Sequence, residues 1–200
     1  MTALLRRHPN RMSNSFEDIE ARHDELFKQF VSIAEAGRKA DRQVIETEFV
    51  FQTTTGPLTL AEAFEGKADL VLIHNMGTGC SFCTMWADGF NGVQQHLRDR
   101  AGLLLLSPNE PATVEEFAKG RGWKFPVASG RDSGFNEAMG FGTSNEPYPG
   151  FTTFHKAADG TITRICTESF GEFDLYAPIW HMLGRLKDGV NGWEPKFRYD

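Results

Sequence analysis

The sequence predicts an α/β fold: a mixed central sheet, mostly of parallel strands, with helices on both faces and an N-terminal helix before it. Strand-like apolar runs alternate with segments of helical periodicity from residue 43 onward, which favours parallel strands joined by crossover helices. Two later runs rich in Thr, Ile and Phe flank Ala158-Asp159-Gly160, which indicates an antiparallel hairpin at one side. With 200 residues, the chain is long enough for one domain with a sizeable core.

The N-terminal part, residues 1–42, is predicted to hold a loose arm and one helix, and residues 43–200 to form the main domain. Ser15 and Asp18 fit a capping-box-like helix start, and apolar residues follow on one face as far as Gly37. This helix could dock on its own domain or serve as the arm of a homodimer.

The main domain is predicted element by element from its apolar runs and its breakers. The continuous run Leu103-Leu104-Leu105-Leu106 is typical of a fully buried parallel strand, and Gly140 closes a short helix. The tail from Trp193 is expected to be irregular. The predicted strands are 43–52, 69–74, 103–106, 125–128, 151–155 and 161–165. A turn is predicted at 53–57 and a short helical or capping stretch at 58–64; the predicted helices are one from residue 80, 113–119, 135–139 and 175–186.

Composition and charge exclude several classes of function. A hydrophobic content of 40% with 24% charged residues is ordinary for a soluble globular protein, and a net charge of −6 gives no nucleic-acid footprint. No apolar run approaches the roughly 20 residues of a membrane span. The first residues lack the apolar core of a secretory signal, so we expect a cytoplasmic protein, in which a disulfide would be transient and catalytic.

The motif Cys80-Ser81-Phe82-Cys83 carries the main chemical signal. It follows a strand-like run that ends at His74, and it opens a helix. Cysteines three apart lie on adjacent turns, and the unpaired N–H groups and positive dipole end of a helix N-terminus favour a thiolate. Because the thiolate is the reactive form, the pattern predicts a redox dithiol.

Two other interpretations of this motif stay open, half of a zinc site and simple packing. A structural zinc site needs four ligands, but His74, His155 and His181 form no paired motif and Cys166 stands alone. Cys166 is expected to be a small buried residue of the second hairpin strand. No phosphate-cradling glycine loop is present, so no organic cofactor is predicted, and the lack of a complete ligand set means that no metal is predicted.

Residues 79–92 resemble the signature of a bacterial thioredoxin-like family of unknown function, known as predicted dithiol-disulfide oxidoreductases. The resemblance runs from about residue 46 to residue 199, and residues 122–129 and 135–140 resemble the peroxiredoxin-type branch of the thioredoxin fold. It implies a thioredoxin-like fold and a thiol-disulfide oxidoreductase in which Cys80 attacks and Cys83 resolves. The implied partners are a disulfide-containing protein or small-thiol substrate and an external thiol reductant, without nucleic acid or membrane.

The resemblance also implies supporting residues. Pro149 matches the cis-proline that faces the dithiol in thioredoxin-fold enzymes; the alternatives are that it is an ordinary trans turn proline, or that Pro147 or Pro126 takes this role. His74 stands near the position of the acid that shuttles a proton to the second cysteine, although it could equally be a polar residue at a strand end. Trp86 would belong to the core or to the wall of the active site.

Two departures from the related patterns bear on the alternatives. Peroxiredoxins carry a Thr or Ser hydroxyl three residues before the reactive cysteine, where this chain has Gly77; Thr78 is one residue away. Thioredoxins carry a Trp directly before the first cysteine, where this chain has Gly79, which leaves Cys80 more open. A peroxiredoxin-like thiol peroxidase and a non-enzymatic partner- or metal-binding module therefore remain as alternative functions.

Overall fold

The computed structural model describes residues 15–40 and 42–199, and the chain divides into two units, residues 1–41 and 42–200. The first unit contains helix α1 (Phe16–Lys39). Its N-cap is Ser15, whose Oγ accepts the backbone N–H of Asp18 at 3.2 Å, as the sequence predicts. The helix ends two residues beyond the expected Gly37. The predicted arm, residues 1–12, lies outside the described residues.

The second unit is built on an eight-stranded mixed sheet with strand order β1-β8-β7-β4-β5-β6-β2-β3. Strands β4, β5 and β6 are mutually parallel, and all other pairs are antiparallel. The mixed sheet and the hairpin are confirmed, but the expectation of mostly parallel strands is wrong. The elements are β1 (Gln43–Val44), β2 (Val50–Thr53), β3 (Gly56–Thr59), a 3-10 turn (Glu62–Phe64), β4 (Asp69–His74), α2 (Ser81–Arg100), β5 (Gly102–Ser107), α3 (Pro111–Arg121), β6 (Val127–Ser129), α4 (Phe135–Met139), β7 (Gly150–Lys156), β8 (Ile162–Ser169) and α5 (Pro178–Leu183).

The predicted strand 43–52 is divided into two strands, β1 and β2, which lie near opposite ends of the strand order. β1 pairs with β8 at one edge, whereas β2 pairs with β6 and β3 at the other. Between them the chain crosses one face, where Phe49 is buried and Ile45 packs on the same core. The apolar run thus reflects core contacts of a crossing segment as well as strand pairing. β3 also replaces part of the predicted turn and helix, with Pro57 on an edge strand.

The predicted helix 175–186 is reduced to α5. The Asp174 carboxylate accepts the backbone N–H groups of Tyr176 at 2.7 Å and Ala177 at 3.0 Å, which holds both residues outside the helix. Phe173 adopts a left-handed φ of 64°, and the helix begins at Pro178, a favoured first helical residue. Local side-chain bonding therefore overrides the apolar periodicity that predicted a longer helix.

Two hydrophobic cores lie on opposite faces of the sheet. Side chains alternate along β4, so Leu70 and Leu72 pack against α4 and the 3-10 turn, whereas Ile73 packs against α2, α3 and α5. The predicted burial of Leu103-Leu104-Leu105-Leu106 in β5 is confirmed. Helix α2 follows β4 in the chain and starts near its carboxyl end, close to the middle of the sheet. Among the helices of the described ranges, none is long and apolar enough to cross a membrane.

Candidate active site

The loop of residues 75–79 connects β4 to α2 and is fixed by hydrogen bonds at both ends. The Asn75 N–H donates to the Leu106 carbonyl of β5 at 2.9 Å, and the Asn75 Oδ1 accepts from Gly77 N–H at 2.7 Å. The Cys80 N–H then donates to the Gly77 carbonyl at 3.2 Å. Cys80 is therefore held at a defined point beside the carboxyl ends of β4 and β5.

Asn109, from the loop after β5, completes this arrangement. Its Oδ1 accepts from the Thr78 N–H at 2.8 Å and from the Ser107 hydroxyl at 2.9 Å. A Cβ on Gly77 would lie 2.7 Å from the same oxygen, and Gly77 has a φ of +107°, so glycine is required there. The sequence around Asn109 carries no motif that predicts this role. The available signal was that parallel neighbours such as β4 and β5 bring their following loops to one sheet edge.

The Cys80 sulfur caps helix α2. Its Sγ accepts the Cys83 backbone N–H at 3.0 Å, and the side chain is half-buried. A hydrogen bond from the Cys83 thiol, together with the N–H groups of Cys83 and Phe82, lowers the pKa of Cys80 to about 7, although burial opposes this shift. A substantial fraction of Cys80 is therefore thiolate at neutral pH.

Cys83 lies one turn further along α2 and is buried, with 2% of its surface exposed. The hydrogen bond that its thiol donates to Cys80, its burial and the negative charge of Cys80 all raise the pKa of Cys83. The Met76 N–H approaches its sulfur at 3.5 Å. Both thiols are free. The pair is thus chemically asymmetric, with an accessible acidic thiol and an enclosed protonated one.

Aromatic side chains form the wall beside the dithiol. Trp86 is 4% exposed and stacks on Phe170 at 5.1 Å, and Phe82, inside the motif, stacks on Trp180 at 6.0 Å. Trp86 is therefore a core residue, in the same hydrophobic cluster as Cys83. Its indole N–H donates to the Asp174 Oδ2 at 2.8 Å.

We expect Asp174→Ala to lower the free energy of unfolding by about 2–4 kcal/mol, because four N–H groups lose a charged acceptor. These donors are the Trp86 indole and the backbone N–H groups of Gly171, Tyr176 and Ala177. Thermal unfolding followed by tryptophan fluorescence measures the effect. Asp188→Ala, at an exposed site, is the matched control; equal stability of the two variants would contradict this account.

His74 lies away from the dithiol. Its side chain points to the core face that holds Leu70 and Leu72, opposite to Cys83, and it stacks on Phe141 at 3.7 Å. The ring nitrogens contact Asn136 Oδ1 at 2.8 Å and Thr152 Oγ1 at 3.0 Å. Burial lowers the pKa of His74 to about 4, so the ring is neutral. The structure therefore does not bring His74 into contact with either thiol.

Pro149 lies next to the loop of residues 75–79, because the following Gly150 pairs with His74 at the end of β4. The peptide bond before it is trans, like the others of residues 15–40 and 42–199, so the prediction of a cis-proline is wrong. The Pro149 carbonyl accepts the Phe170 N–H at 2.9 Å and so extends the β7–β8 ladder. Strand pairing is satisfied with the trans isomer, which is favoured before proline by about 0.5–1 kcal/mol.

Cys166 takes no part in this arrangement. It lies on β8, half-buried rather than fully buried, with its sulfur 3.8 Å from the Glu168 carboxylate. Burial and the Glu168 charge raise the pKa of this thiol, which keeps it protonated. In the part of the chain that the structure describes, no three His, Cys, Asp or Glu side chains are grouped so as to hold a metal ion.

Comparisons with known proteins identify the fold. Reduced Prx3 from Vibrio vulnificus superposes with a TM-score of 0.54 at 15% identity, over 68% of this chain and 92% of that protein. The peroxidoxin BcpB from Mycobacterium tuberculosis gives a TM-score of 0.48 at 21% identity, over 64% and 86% of the two chains. The lipoprotein thioredoxin Etrx1 from Streptococcus pneumoniae gives 0.47 at 18% identity, over 70% and 100%. The superposition on reduced Prx3 shows that the fold is thioredoxin-like, as predicted, and the chain has an N-terminal helix, α1.

Comparison of the sequence with protein families identifies the family of this chain. A family model described as "Bacterial protein of unknown function (DUF899)" matches residues 15–192, most of the 200 residues. Among curated proteins, none matches the sequence.

Proposed function

The chain belongs to the DUF899 family of bacterial proteins, and from the chemistry of its own dithiol we propose that it is a thiol-disulfide oxidoreductase. One observation carries this proposal: the Cys80 sulfur caps α2 and accepts the Cys83 N–H at 3.0 Å, while Cys83 is buried one turn away. A helix N-terminus favours the thiolate that attacks a disulfide, and a second thiol beside it can resolve the mixed disulfide that forms.

In the proposed reaction, the Cys80 thiolate attacks one sulfur of a substrate disulfide. The substrate S–S bond breaks, its other sulfur leaves as a thiolate, and a mixed disulfide forms on Cys80. Cys83 then gives its proton to the leaving thiolate or to water and attacks the Cys80 sulfur. The second substrate thiolate leaves, so two electrons have moved from the dithiol to the substrate. An external thiol reductant restores the dithiol.

The electrostatics of the two thiols determine the order in which they react. The negative charge of the Cys80 thiolate and the hydrogen bond that it accepts both raise the pKa of Cys83. Once Cys80 is in the mixed disulfide, that charge is gone, and Cys83 loses its proton more easily. Cys83 therefore becomes a nucleophile only when there is an intermediate to resolve. Regeneration by thiols fits a reducing compartment, so we propose a cytoplasmic location.

The alkylation rate of the reduced protein with iodoacetamide tests the proposal. Because the pKa of Cys80 is lowered to about 7, we expect its labelling rate to rise with pH, to reach half its maximum near pH 7, and then to level off. An ordinary thiol would reach this point only near pH 8.5. Mass spectrometry of digests shows which cysteine carries the label, and the Cys80→Ser variant measures the labelling that does not come from Cys80. Labelling of Cys83 first, or a midpoint at the ordinary value, would refute the assignment of the nucleophile.

A further inference from the structure

A groove opens beside the loop of residues 75–79, which leads to Cys80. Its volume is about 520 Å³, which falls in the range of roughly 300–1,000 Å³ that small-molecule sites occupy. Thr78 forms one wall, and the chain reaches Cys80 only two residues later. The remaining walls come from α3 and from the C-terminal segment. The lining residues are Thr78, Phe117, Gly120, Arg121, Phe197 and Arg198.

The walls of the groove are tied to the helix that carries the dithiol. The Arg121 guanidinium binds the Asp88 carboxylate of α2 and donates to the Phe197 carbonyl at 2.6 Å. The Trp123 indole donates to the same carboxylate at 2.8 Å. Phe117 and Phe197 meet edge to face, with ring centroids 6.3 Å apart. The groove is therefore fixed relative to α2 before any ligand arrives.

Polar groups without partners line this groove. Arg121 is neutralised by Asp88, but Arg198 has no carboxylate partner among residues 15–40 and 42–199. The Thr78 N–H is bound to Asn109, whereas the Thr78 hydroxyl donates to no group in the same residues. On a chain of net charge −6, this is a local surplus of positive charge and hydrogen-bond donors between two phenyl rings. Such a lining suits an anionic group on a partly apolar ligand.

We propose that this groove binds the carboxylate of a low-molecular-weight disulfide, with Arg198 as the cation that selects it, and presents the disulfide to Cys80. This inference rests on the proposed function and names its substrate class. The bound ligand is attacked by the Cys80 thiolate, one half of the ligand leaves as a carboxylate-bearing thiolate, and Cys83 releases the other half. The dithiol loses two electrons, and the ligand disulfide gains them.

The first test compares three disulfides that differ in charge: oxidised glutathione, 2-hydroxyethyl disulfide and cystamine, which are anionic, neutral and cationic. Stopped-flow tryptophan fluorescence gives the rate constant of the reduced protein with each one. We expect Arg198→Gln to slow the anionic reagent about threefold to tenfold, the size of one charged hydrogen bond at a partly exposed site. The neutral reagent should keep its rate. Arg164→Gln, on β8 and remote from the groove, should leave all three unchanged.

Two results of this comparison would overturn the proposal. If Arg198→Gln slows all three reagents equally, Arg198 acts through the reactivity of Cys80 and not through the ligand. If it slows none of them, the carboxylate binds elsewhere. If the wild-type protein reacts with no disulfide at all, the proposed function fails instead.

A second measurement separates binding from chemistry. S-methylglutathione carries the same carboxylates but has no disulfide, so it can bind without reacting. We expect it to shift the backbone amide resonance of Thr78 saturably in the wild-type protein, and to bind Arg198→Gln about threefold to tenfold more weakly. The absence of a saturable shift would overturn the groove as a binding site, even if disulfide exchange proceeds.

Discussion

The Cys83→Ser variant is expected to accumulate a mixed disulfide with its substrate, whereas Cys80→Ser is expected to be inactive. In the first variant, the half-buried Cys80 thiolate still attacks, but nothing resolves the intermediate. In the second, the buried Cys83 would have to attack, and its raised pKa keeps it protonated. For Cys80→Ser we expect the rate of disulfide reduction to fall by roughly a thousandfold or more, as when the nucleophile of other enzymes is removed.

Mass spectrometry of the intact protein detects the trapped adduct, and a stopped assay with oxidised glutathione gives the rate. Cys166→Ser is the matched control, because this third cysteine lies on β8 and should leave the rate unchanged. Reduction of the test disulfide by Cys80→Ser at the wild-type rate would show that the nucleophile lies elsewhere. A loss of activity in Cys166→Ser would give that residue a role that the structure does not suggest.

Hydrogen peroxide is expected to oxidise Cys80 no faster than a free thiolate of similar pKa. Peroxiredoxins place a hydroxyl three residues before the reactive cysteine, and loss of one preorganised donor typically costs about a hundredfold or more in rate. Here that position is Gly77, whose φ of +107° disfavours any other residue, and a Cβ there would lie 2.7 Å from Asn109 Oδ1 and displace the carboxamide that bonds to this loop. The chain should therefore perform disulfide exchange and reduce peroxide poorly.

Stopped-flow mixing of the reduced protein with peroxide, with a sulfenic acid trap, measures this rate. Thr78→Val is the informative variant, because the Thr78 hydroxyl is the nearest candidate in sequence for a replacement donor. We expect the slow peroxide rate to be the same with and without that hydroxyl. A fast reaction that Thr78→Val abolishes would establish the thiol peroxidase interpretation and displace the one proposed above.

The fold was largely predictable because its signals are local. The alternation of strands and helices, the hairpin turn at Ala158-Asp159-Gly160 and the start of α1 at Ser15 each depend on residues within a few positions of one another. Prediction failed where distant contacts compete with local preference. The run 43–52 divides between the two halves of the sheet because Phe49 packs into the core between them, and α5 is short because the Asp174 carboxylate accepts the N–H groups before it.

The sequence by itself determined that a dithiol stands where a strand passes into a helix, and that Cys80 comes first at the helix N-terminus. Only the tertiary structure decided which side chains surround it. Asn109 bonds to a residue 31 positions away and Asp174 to one 88 positions away, separations at which no local pattern gives a signal. Tertiary packing also decides which face of β4 the helix α2 covers. His74 points to the opposite face, where it bonds to Asn136, a residue 62 positions away. Local periodicity fixes which residues share a face, but the packing of distant elements fixes what each face meets.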